Sequence, residues 1–314
     1  MPKLIANTKD MSEAEWLQAR NKGIGGSDAS TVLKLNKWKS PFQLWLEKTN
    51  QVEVESAGSE AAEFGNKLEA IVAETFTERT GIKVRKRNAI FAHDEHDFMR
   101  ANVDRVVVGE NAGLECKTAS AFLMKDWKGE EIPDAYLIQC QHYMAVMGWD
   151  KMYIAVLVGG NSFIWKEVER DEELIGMIIT HEQSFWEHNV IGNIAPPIDG
   201  SSAAEQFLNE RYKNADDDKF VDLSSDYGDK IKELQKVESE IKAKNERKKE
   251  LQNDLKLQLE DAVHGYVGSF QVSWKPQTQK RVDSKKLKAE YPDVFEQVQK
   301  EINMRKFSVK ELSE

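Results

Sequence analysis

The chain has 314 residues, a net charge of −10, and 40% hydrophobic and 31% charged residues. That is enough apolar material for a core and too much for a wholly disordered chain, while the acidic average argues against a protein that coats nucleic acid by charge. No apolar run reaches the length of a membrane span, and two cysteines, Cys116 and Cys140, exclude a disulfide scaffold or a cysteine-rich metal cluster. Met1 to Arg20 has no apolar stretch of signal-peptide type, so a cytoplasmic globular protein is expected.

In chain order, Glu13 to Lys22 reads as a short helix stopped by Gly23-Ile24-Gly25-Gly26. Ser27 or Asp28 is expected to cap a second short helix through Leu33, and Ser40-Pro41 to open a third. Residues 60–80 read as a longer helix with Leu68, Ile71, Val72 and Phe76 on one face, ended by Gly81. The period then changes. Lys83 to Ala92, Met99 to Val108 and Gly113 to Lys117 read as strands. Residues 134–147 return to a helix. Lys151 to Val158 and Ser162 to Val168 form a hairpin around Gly159-Gly160-Asn161, followed by a helix from Asp171 to Asn189. This order predicts an α/β or α+β domain with a central mixed sheet.

Turn residues and an acidic run near 195–226 suggest two domains, 1–220 and 221–314. The charge divides there too. Residues 221–314 carry 19 Lys and Arg against 18 Asp and Glu, which leaves 25 against 36 in residues 1–220. The second part reads as a charged helix over 226–264 with an interrupted apolar stripe (Ile231, Leu234, Ile241, Leu251, Leu255, Leu259). A short strand pair, a basic loop (Lys275, Lys280, Arg281, Lys285, Lys286, Lys288) and a terminal helical stretch follow. The stripe leaves open self-association or partner binding by a helical adaptor. The basic loop leaves open contact with DNA phosphates or plain solvation.

In Asn102-Val103-Asp104-Arg105 and Glu115-Cys116-Lys117, ten residues separate Asp104 from Glu115. Residues i and i+2 of a strand share a face, so Glu115 and Lys117 project together, and a hairpin would bring Asp104, expected mid-strand, beside them. Two carboxylates and a lysine suit a hard divalent cation and a nucleophilic water; a cross-strand salt bridge is the alternative. Glu69 is expected to be partly buried beside its helix's apolar face. Tyr136, Gln139 and Tyr143 share a face of the 134–147 helix. Arg20 and Ser27, flanking the Gly-rich turn, could form a phosphate pocket or an ordinary capped turn. His93 and His96 read as surface histidines rather than zinc ligands.

Five segments taken in order are W-L-Q-A-R-N-K-G-I-G-G-S-D from Trp16, G-N-K-L-E from Gly65, A-N-V-D-R from Ala101, L-E-C-K from Leu114 and A-Y-L-I-Q-C-Q-H-Y-M from Ala135. Together they resemble the YqaJ-like viral recombinases, relatives of phage lambda exonuclease within the PD-(D/E)xK nuclease superfamily. The resemblance implies a restriction-endonuclease-like core. It also implies a Mg²⁺-dependent (Mn²⁺ as substitute) 5′→3′ exonuclease of double-stranded DNA, releasing 5′-mononucleotides and leaving 3′ overhangs. Asp104, Glu115, the Cys116 backbone carbonyl and Glu69 would surround the metal. Lys117 would activate or orient the attacking water, Gln139 would help position Lys117 and the nucleophile, and Arg20 and Ser27 would recognise the 5′-phosphate. A toroidal homotrimer and a single-strand annealing partner are further implications. An endonuclease of the same superfamily is the alternative activity. Val103 stands where the superfamily motif has proline.

Overall fold

The computed structural model describes residues 1–52, 60–216, 218–278, 280, 282–300 and 305–311. The chain divides into two compact units, Met1–Arg211 and Tyr212–Glu314.

The first unit opens with β1 (Lys3–Asn7) and α1 (Glu13–Asn21), where Ser12 and Glu15 form a reciprocal capping box. Then come β2 (Ile24–Gly25), α2 (Gly26–Val32) and α3 (Pro41–Lys48). Gly25, not Ser27 or Asp28, is the cap residue of α2; Asp28 reaches back to accept from the Gly25 N–H at 3.1 Å. Ser40 caps α3 by accepting from the Gln43 N–H. In α4 (Glu60–Thr80) Val72, Ala73 and Phe76 are buried, but Ile71, expected on the same face, is half exposed. The packed stripe is narrower than the sequence pattern and includes Ala73 instead.

Two of the expected strands are each two strands. Lys83 to Ala92 divides into β3 (Val84–Lys86) and β4 (Ala89–Ala92), and Met99 to Val108 into β5 (Met99–Ala101) and β6 (Arg105–Val107). The halves join different sheets. One sheet has the order β1-β4-β5-β2; the other runs β3-β6-β7-β8-β9 and is completed by β7 (Ala112–Ala119), β8 (Lys151–Val158) and β9 (Ser162–Glu169). The single central sheet of the sequence reading is thus a pair of mixed sheets, because β1 and β2 recruit β4 and β5 by long-range pairing.

Parallel β7 and β8 are joined through α5 (Met124–Trp127) and α6 (Asp134–Met147), a crossover that needs a helix between parallel strands. Gly113 is required where β7 passes under Trp149, since a Cβ there would lie 2.1 Å from the indole. The main core gathers Met99, Ala101, Cys140, Met144, Met152, Ile154 and Ile178 between sheets and helices. The last of these lies on α7 (Glu172–Ser184), which continues as a π-helical stretch over Phe185–Ile191. α8 (Ser202–Arg211) ends the unit. The observed class is mixed α/β with sheets flanked by helices, as expected of a restriction-endonuclease-like core.

The second unit carries α9 (Asp226–Leu259), the antiparallel pair β10 (His264–Val267) and β11 (Phe270–Ser273), α10 (Ser284–Glu290) and α11 (Pro292–Val298). Of the expected apolar stripe on α9 only Leu259 is buried; Ile241, Leu251 and Leu255 are exposed. Lys285, Lys286 and Lys288 lie on α10 rather than in a basic loop, and Arg281 lies outside the described residues.

Candidate active site

Strand β7 is central in its sheet, between β6 and β8, and its C-terminal half carries Glu115, Cys116 and Lys117. The two-residue period puts Glu115 and Lys117 on one face, and Lys117 Nζ lies 2.6 Å from Glu115 Oε1. Asp104 is not mid-strand. It sits in the break between β5 and β6, just before the antiparallel register Arg105 to Leu114 begins. There its Oδ2 accepts from the Cys116 N–H at 2.8 Å. The break frees Asp104 from the ladder and turns its carboxylate onto the edge of β7.

Helix α6 closes the site from the other side. Gln139 Nε2 donates to Glu115 Oε1 at 2.7 Å and to the Tyr143 hydroxyl at 3.3 Å. The Tyr143 hydroxyl donates in turn to the Asn102 carbonyl at 3.2 Å. One chain of hydrogen bonds therefore ties β7 to the segment that carries Asp104. Lys117 Nζ also stands 5.3 Å from the centre of the Tyr136 ring.

Burial, then the nearby Glu115 carboxylate, raises the Asp104 pKa well above its ordinary value. Burial opposes the charge on Lys117, but Glu115 and Asp104 outweigh it and raise its pKa. Burial also pushes the thiols of Cys116 and Cys140 up; both are free cysteines.

Glu69 on α4 is ion-paired to Arg105 and lies 3.9 Å from Lys86 Nζ. Its carboxylate acts on Asp104 through space, adding to the negative field there. Among the described residues no three His, Cys, Asp or Glu side chains converge as a metal cage of their own. The pair Asp104 and Glu115 nevertheless fits a hard divalent cation. Glu115 is buried, and its Oε2 has no hydrogen-bond partner among the described residues. A buried carboxylate oxygen without a donor beside a second carboxylate that resists ionisation is an arrangement a cation would relieve. The two carboxylates offer only oxygen donors, which suits Mg²⁺ or Mn²⁺ better than zinc.

Arg20 and Ser27 are brought together at the N-terminal turn. Arg20 Nη2 donates to Ser27 Oγ, and its guanidinium stands 5.3 Å from the centre of the Trp16 ring. Gly26 joins this turn to α6: a Cβ at Gly26 would lie 2.5 Å from the Tyr143 ring. Sequence reasoning missed Arg105, Asp28 and Lys48. Arg105 was visible in the Asn-Val-Asp-Arg string, but its pairing with α4 is not local. Asp28 was seen only as a possible cap, and nothing in Pro41 to Lys48 marks Lys48 as buried.

Compared with known proteins, the YqaJ-like viral recombinase domain matches residues 15–150. A curated relative, "Uncharacterized protein YqaJ" of Bacillus subtilis (strain 168), is 50% identical over 99% of this chain and 98% of its own length. The chain belongs to the YqaJ-like viral recombinase family. The family is a nuclease family, so the enzyme class expected from the motifs, a DNA nuclease acting as a phosphodiester hydrolase, follows from membership. Among solved structures, an alkaline exonuclease (LHK-Exo) from Laribacter hongkongensis is similar at 19% identity and TM-score 0.48, covering 58% of this chain and 94% of that one. A phage related exonuclease from Haemophilus somnus 129PT is similar at 14% identity and TM-score 0.43, covering 57% and 99%. No helix among the described residues is long and apolar enough to cross a membrane.

Proposed function

We propose that this chain is a divalent-metal-dependent 5′→3′ exonuclease of double-stranded DNA that releases 5′-mononucleotides and leaves 3′ overhangs for recombination. The observation that carries the reading is the pairing of Glu115 with Lys117 beside Asp104, with one buried Glu115 oxygen lacking a partner among the described residues. Asp104, Glu115 and the Cys116 carbonyl would hold Mg²⁺, or Mn²⁺ in its place, and Glu69 would add charge nearby. The cation, when bound, supplies Lewis-acid stabilisation of the scissile phosphate and lowers the pKa of an attacking water.

The side chains do the rest. Lys117, kept protonated by Glu115 and Asp104, orients the water and stabilises charge that develops on the phosphoryl oxygens. Gln139 fixes the Glu115 carboxylate by donating to Oε1, which leaves Oε2 available to hold a cation. Arg20 and Ser27 hold the terminal 5′-phosphate, the guanidinium as a fork. A toroidal homotrimer around DNA and a single-strand annealing partner complete the proposal.

The test is linear duplex with 5′-phosphate ends and Mg²⁺. Acid-soluble mononucleotides should appear, stop with EDTA, and fall by at least about a hundredfold with Lys117→Ala. No release, or release unaffected by that substitution, overturns the reading; nicking of closed circular plasmid would favour an endonuclease.

A further inference from the structure

We propose that Asp28 is a positioning residue for the terminal phosphate of the substrate: it holds Arg20 and Ser27 as one anion-binding edge. This role rests on the reading of Arg20 and Ser27 given above.

Asp28 is buried, its side chain only 5% exposed, and it has three neighbours of opposite polarity. Lys48 Nζ lies 2.8 Å from Oδ2, the Gly25 N–H donates to Oδ2 at 3.1 Å, and Arg20 Nη2 lies 3.8 Å from Oδ1. Lys48 is buried as well, at 3%. Removing two charges from water is costly, and an apolar pair of similar volume staples two helices at least as well. The charge must therefore earn its place through something an apolar pair cannot do.

Arg20 is that something. Its side chain remains one-third exposed at the rim of the turn. Both of its polar contacts, to Ser27 Oγ and to Asp28, use Nη2. Among the described residues Nε and Nη1 make no hydrogen bond, so Arg20 keeps donors in reserve while Ser27 and Asp28 hold Nη2. Those unused donors and the permanent charge suit a phosphate oxygen. Lys48 and Asp28 cancel, which leaves the Arg20 charge unneutralised at the surface. Asp28 also ties down Gly25, one residue before the Gly26 that packs on Tyr143. The turn is thereby linked to the ring of Tyr143, whose hydroxyl accepts from Gln139.

The experiment compares full-length wild type with Asp28→Asn and with Asp28→Asn/Lys48→Met, which removes both buried charges together. Each is assayed on linear duplex with 5′-phosphate ends and with 5′-hydroxyl ends, and folding is checked by circular dichroism and thermal melting. In wild type the ratio of kcat/KM values favours 5′-phosphate. Both variants should lower that ratio by about tenfold, the loss expected when a charged hydrogen-bond donor is no longer held in place. A purely structural ion pair would lower both rates together and leave the ratio untouched. Either folded variant with the wild-type ratio overturns the role of Asp28 while leaving the nuclease reading intact. Wild-type cleavage that ignores the 5′-phosphate removes the function assigned to Arg20 and Ser27, and the role of Asp28 with it. Absence of cleavage by wild type sinks the nuclease reading itself.

Discussion

Outside the candidate site His142 and Glu182 are both fully buried, His142 on α6 and Glu182 on α7. The His142 Nδ1 lies 2.8 Å from Glu182 Oε1, and its Nε2 lies 2.9 Å from the Arg100 carbonyl. Both contacts are best made by an imidazolium, which donates from both nitrogens. Burial opposes that charge, but the Glu182 carboxylate outweighs it, and the pKa is raised. A folded pKa above the unfolded value of about 6.5 gives stability that is complete below that pH and is lost as pH rises through the folded value. Thermal melts should therefore show a midpoint that falls as pH is raised from about 6.5, by about 1.4 kcal/mol of stability per unit of upward shift. His142→Gln should flatten that dependence in the same melts; a midpoint that stays level in wild type would refute the charged pair. Histidine as a type is legible in the sequence, but its partner forty residues on is not.

At the scale of elements, the fit of α2 against α6 positions the Gly-rich turn that carries Ser27. Gly26 lies under the Tyr143 ring with no room for a methyl group. Gly26→Ala should cost about 1–3 kcal/mol through overpacking. It should also displace Tyr143, whose hydroxyl links Gln139 to Asn102. The expected result is a lower melting midpoint together with slower nucleotide release. Tyr143→Phe, which keeps the ring and drops only the hydroxyl, should retain more stability than Gly26→Ala. Equal stability of Gly26→Ala and wild type by denaturant melting would contradict the packing. The same elements mark where sequence reading succeeds and stops. The i, i+2 spacing of Glu115 and Lys117 and the i, i+4 spacing of Gln139 and Tyr143 are set by strand and helix periods, so their convergence could be read directly. The breaks at Arg87-Asn88 and at Asn102-Val103-Asp104 could not. They arise because β4 and β5 pair with β1 and β2, and no local period reports a partner eighty residues away. Asp104 owes its place to one of those breaks, so its residue type was legible and its position was not.

At the scale of the whole molecule, every residue assigned to the candidate site belongs to the first compact unit. Asp104, Glu115, Lys117, Glu69, Gln139, Arg20 and Ser27 all fall within Met1–Arg211, as do Asp28 and Lys48. The three buried clusters that support them also lie there, the third including Leu44, Trp45 and Phe185. In the second unit α9 exposes most of its length, and β10 and β11 expose Tyr266, Val267 and Phe270. Elements so exposed derive little stability from buried apolar area. A chain ending at Arg211 should therefore fold cooperatively and keep metal-dependent release of nucleotides from linear duplex. Loss of processivity or of end affinity on truncation would assign the second unit to substrate handling. The decisive comparison is the single-turnover rate at saturating DNA, which reports the chemistry apart from binding. A rate within about threefold of full length confines catalysis to the first unit, whereas a fall beyond about a hundredfold in a folded truncation would require the second unit to complete the site.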